Sequence, residues 1–117
     1  MTTTVTKTIG TGGDYTTLQA REDASPANLV TVDQVWQGQC FNQEFFSSSA
    51  TLLTVSGTTT DATRYKELTT YVGASFVDNA SVQTNALRYN ASNGAGIRST
   101  ASWSSIVVIN ESYFRVS

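Results

Sequence analysis

After Pro26 the sequence carries no helical pattern and becomes a succession of short apolar runs separated by turn-forming clusters. The runs are Leu29-Val30, Val35-Trp36, Phe45-Phe46 and residues 52–55, 68–72, 86–89, 106–109 and 113–116. Between them lie residues 47–49, 57–61, Asp78-Asn79 and Asn93-Gly94, rich in the Ser, Gly, Asn and Asp that turns prefer. Runs this short, closed off by turns, predict strands. Two architectures accommodate many short strands, a sandwich or barrel and a solenoid of stacked rungs, and periodicity alone does not choose between them. No exact internal repeat is visible, although rungs whose turns vary in length need not show one.

The first 26 residues are built differently. Residues 3–9 alternate β-branched and polar side chains, the period of a half-buried strand. Gly10-Thr-Gly-Gly-Asp14 then breaks the pattern, because clustered glycines favour positive φ and a turn. Residues 15–24 form the one helical segment, with Thr16 and Gln19 at capping-box spacing and Leu18, Ala20 and Ala24 available for a buried stripe. Ser25-Pro26 ends it, since the residue before proline is pushed out of the α region. A single helix ahead of strands alone has a physical job in a solenoid, to cover the end of the apolar core.

Composition narrows the function. Only 14% of residues are charged, the net charge is −2, and the seven basic residues are scattered without a run that tracks a phosphate backbone, which argues against a nucleic-acid partner. Neither an apolar stretch of membrane-spanning length nor a basic, then apolar, signal-peptide start is present, so no membrane partner and no classical export are expected. The one cysteine, Cys40, excludes an intramolecular disulfide, and no histidine exists to activate it. It is expected as a small buried side chain. Asp14, Asp33, Asp61 and Asp78 would ligate Ca²⁺ only if turns brought several together, so neither a metal nor any other cofactor is expected. Glu22-Asp23 is an adjacent pair that cannot face one site on a helix and is expected on a solvated face.

The stretch from Val5 through Gly10-Thr-Gly-Gly-Asp-Tyr15-Thr-Thr-Leu18 to Pro26 resembles the N-terminal signature of pectin-lyase-like right-handed β-helix proteins. It covers roughly the first fifth of the chain. The resemblance implies a mainly β chain folded as a right-handed parallel β-helix with one short N-terminal capping helix. Residues 1–26 would supply strand, glycine turn and cap, and 27–117 the rungs of a single segment, the start of a longer chain. Tyr15 and Leu18 would plug the core. Arg21 stands where the pattern leads one to expect an aromatic residue. Asp33-Gln-Val-Trp36, Thr60-Asp-Ala-Thr-Arg-Tyr65 and Asn85-Ala-Leu-Arg-Tyr-Asn90 are similar to β-helix proteins of bacteriophage origin, which implies a component of a virion.

The expected function is therefore a non-enzymatic structural virion protein, a capsid decoration, head fibre or tail spike, acting through contacts with other virion proteins and copies of itself. Surface glycans are a further class of partner, since Trp36, Tyr65, Tyr71, Tyr89 and Trp103 could stack on sugars, although aromatics of this kind more often fill a core. The rival is the N-terminal cap of a polysaccharide-degrading enzyme whose catalytic rungs lie beyond residue 117. Successive strand residues face opposite sides, so Phe45 and Phe46 cannot both point inward. Together with Arg21 they are the candidate interface.

Overall fold

The structure is a computed structural model that describes residues 1–41, 45–48, 50–71, 96–99 and 105–117. Its elements follow in the order β1 (Thr3–Ile9), α1 (Leu18–Asp23), α2 (Leu29–Val32), β2 (Gln34–Cys40), β3 (Phe45–Ser48), β4 (Leu53–Val55), β5 (Lys66–Thr70), β6 (Gly96–Ser99), β7 (Val107–Ile109) and β8 (Phe114–Val116). The expected first strand is present over residues 3–9. The glycine turn follows it with Gly10 and Gly12 at φ 137° and 82°, conformations that side-chain-bearing residues rarely adopt. Asp14 braces this turn by accepting from the Thr8 amide at 2.9 Å.

Every pairing between these strands is parallel. One sheet runs β1-β2-β5-β8, and two smaller ones pair β3 with β6 and β4 with β7. The chain visits β2, β3 and β4, then β5, β6 and β7, and each later strand lies beside its earlier counterpart. The right-handed parallel β-helix of the sequence reading is corrected by this arrangement. The described residues form a small globule of one four-stranded and two two-stranded parallel sheets with two short helices, not a solenoid. A solenoid needs three or more like units stacked in series, and two of these sheets hold only two strands each among the described residues. Apolar runs between turns specify strands; they do not specify how many stack.

The helices also depart from the sequence reading. α1 begins at Leu18, not near Tyr15, because Thr17 is the N-cap and its hydroxyl accepts from the Ala20 amide at 3.1 Å. Its buried stripe is Leu18, Arg21 and Glu22, the i, i+3, i+4 face, while Ala20 and Ala24 are exposed. A second helix, α2, forms where a strand-like apolar pair was expected. Asn28 caps it through the Thr31 amide, and Asp33 ends it in the left-handed region at φ 58°.

The core gathers Ile9, Leu18, Cys40, Phe46, Leu53, Val55 and Leu68, with Leu52, Ile97, Val107 and Phe114 half-buried against them. α1 packs across β4 and β1 and places Leu18 in this interior. Gly38, in the middle of β2, makes room for what lies beneath. A Cβ there would meet Ile9 Cδ1 at 2.8 Å and Arg21 Nε at 3.0 Å. Gly38→Ala is therefore expected to cost about 1–3 kcal/mol through overpacking, read as a lower urea midpoint at unchanged slope.

Candidate functional site

The slot left by Gly38 holds a charged side chain. Arg21 projects from α1 into the interior, 2% exposed, and its Nη2 donates to the carbonyls of Trp36 and of Glu67, the latter at 3.1 Å. Its guanidinium also lies 5.9 Å from the centre of the Trp36 ring. Burial pulls the guanidinium down to about 10, against the raising effect of Glu22 beside it. Glu22, one residue on, accepts from Lys66 Nζ, and Lys66 donates also to Glu111 at 3.0 Å. Glu111 lies between β7 and β8 and accepts the Thr58 amide as well, at 2.6 Å.

This cluster of two cations and two carboxylates ties α1, β5, the β4–β5 connection and the β7–β8 turn together. Lys66 is 0% exposed and the carboxylates of Glu22 and Glu111 are each 4% exposed. Burial pushes the Glu22 carboxyl above its ordinary range, while the hydrogen bond from Lys66 pulls it back. The charges of the cluster are engaged with one another and with the backbone. Glu22 and Asp23 part company: Glu22 is buried against Lys66, whereas Asp23 is exposed and accepts from Gln19 at 2.8 Å. The solvated face expected for the pair thus holds for Asp23 alone.

A second set of charges knits the surface. Arg64 donates to Asp33 at 2.7 Å and to Asp61 at 2.9 Å, and Thr2 also donates to Asp33, which joins the start of β1, the end of α2 and the turn before β5. Asp61 accepts further from the Thr63 and Arg64 amides, and these bonds, that from Thr63 foremost, hold its carboxyl down to about 2 from 3.8. A depressed carboxylate stabilises the fold above its unfolded value and loses that effect as pH falls through the folded one. Stability is therefore expected to drop between about pH 4 and pH 2, and Asp61→Asn should flatten that drop. Urea midpoints measured across this range test it. Among the described residues no three His, Cys, Asp or Glu side chains gather closely enough to hold a metal.

A polar cleft of about 590 Å³ opens between α1 and the turn after β4, lined by Gln19, Glu22, Asp23, Ser25, Thr54 and Thr58 among others. Gln19 bridges it: its Oε1 accepts from the Thr54 amide at 2.8 Å, fastening helix to strand.

Two apolar positions in register with the core are exposed among the described residues. Val116 stands in register with Leu68 and Ile109 with Val55, residues that are 2% and 0% exposed, yet Val116 and Ile109 are themselves 59% and 48% exposed. Tyr113 is exposed beside them and takes φ 57° at the entry to β8. Among the described residues, β8 pairs only with β5 and β7 only with β4, so each also presents an unpaired edge.

The residues singled out from the sequence are scattered across this framework. Leu18 lies in the core at 1% exposure; Tyr15 is half-buried, with its carbonyl accepting from the Gly10 amide at 2.9 Å. Arg21 and Phe46 are buried within their own chain, so neither side chain offers a docking surface. The Phe45 backbone pairs with Gly96, and its side chain lies outside the described residues. Cys40 is fully buried, which pushes its thiol up to about 12. Residues 86–89 and Trp103 lie outside the described residues. Lys66, Glu111, Ile109 and Val116 were missed, although Lys66 and Val116 share strand parity with apolar neighbours at i+2 and i−2. No family model, curated protein or solved structure matches the chain.

Proposed function

We propose that this protein is a non-enzymatic structural component of a virion, a capsid decoration, head-fibre or tail-spike protein, that attaches through contacts with copies of itself and with neighbouring virion proteins. The observation that carries the reading is the exposure of two apolar side chains, Ile109 and Val116, at 48% and 59%, in register with the buried Val55 and Leu68, where a contact would cover them. Among the described residues β7 and β8 each have an unpaired edge, which adds a route to pairing with another chain. The setting in a virion rests on the sequence resemblance alone. Arg21, Glu22, Lys66, Arg64, Asp33 and Asp61 are committed to ties within the chain, which fits a scaffold.

Sedimentation velocity over a range of concentrations tests the contact. The native chain is expected to associate, and Ile109→Glu with Val116→Glu to shift it to monomer without change in circular dichroism, since substitutions at exposed positions alter stability by only about 0.5 kcal/mol. A native chain that stays monomeric at every concentration, or association indifferent to these substitutions, contradicts the contact. Electron microscopy of the source particle tests the setting, where the chain should occupy ordered positions on the shell or tail. Depolymerisation of a polysaccharide by the native protein would instead favour the enzyme reading.

A further inference from the structure

We draw no further inference here: the strongest candidate outside the exposed Ile109 and Val116, the polar cleft between α1 and the turn after β4, carries nothing because the Glu22 carboxylate oxygen left without a hydrogen bond is closed off from solvent beside Arg21, and no other feature of the cleft points to a ligand.

Discussion

Lys66→Ala is expected to cost about 3–5 kcal/mol of folding stability, the loss typical when one member of a buried ion pair is removed. Small domains carry only about 5–15 kcal/mol in total, so at the lower end of that range the variant would be largely unfolded. The reason is arithmetic of charge. Lys66 Nζ is the ammonium shared by Glu22 and Glu111, and without it Glu22 keeps Arg21, whose Nη1 stands 3.7 Å away, while Glu111 keeps the Thr58 amide and no cation among the described residues. The variant should recover in acid. Burial already raises the Glu22 carboxyl above its ordinary 4.5, and Lys66, ahead of Arg21, opposes that rise. With Lys66 gone, the folded state favours a protonated Glu22 more strongly, so the deficit shrinks below that value and grows as pH rises through the raised one. A companion variant, Lys66→Met with Glu111→Gln, removes one charge of each sign, leaves Glu22 facing Arg21, and should regain most of the loss, because well-packed neutral groups replace a buried ion pair at little cost. Urea denaturation at acid and neutral pH separates these outcomes. A Lys66→Ala loss that ignores pH and is not relieved by the companion would show that the cluster is not holding the elements together.

Arg21→Ala is the second large effect, also about 3–5 kcal/mol. The guanidinium fills the space under Gly38, donates to the Trp36 and Glu67 carbonyls and lies against the Trp36 ring, so truncation leaves a cavity and removes two charge-assisted hydrogen bonds at once. Arg21→Lys should recover only part of the loss, because an ammonium cannot span two carbonyls with a planar fork. The prediction separates two roles for this residue. A docking residue would change self-association and leave stability intact, whereas an internal tie changes the urea midpoint and lowers association only in proportion to unfolding. Stability and sedimentation measured on the same variant distinguish them.

How much of this was legible in the sequence depends on which physical signal each element carried. β1 and the turn after it were readable because alternating β-branched residues and clustered glycines act locally. The burial of Cys40 and Leu18 followed from residue type. α2 was not readable as a helix: it is four residues long, and Leu29-Val30 looks like any other apolar pair until Asn28 is recognised as its cap. The number and size of the sheets were not readable either, since parallel pairing joins segments tens of residues apart and leaves no local mark. The ion cluster lay in between. Leu18, Arg21 and Glu22 fall at i, i+3 and i+4, and Lys66 shares a face with Leu68, a spacing consistent with burial that the reading of a Leu18, Ala20 and Ala24 stripe passed over. Composition argued against it, because Lys, Arg and Glu are almost never fully buried unless paired. The pairing is long-range, Glu22 to Lys66 to Glu111, and Gly38 was the one local sign that something large had to fit beneath β2.

The exposure of Ile109 and Val116 is the feature on which the functional account stands, and hydrogen exchange followed as a function of protein concentration tests it most directly. The account predicts that amides of residues 107–117 exchange more slowly as concentration rises, while those of β1 and α1 do not change. Exchange at residues 107–117 that is the same at every concentration would contradict it.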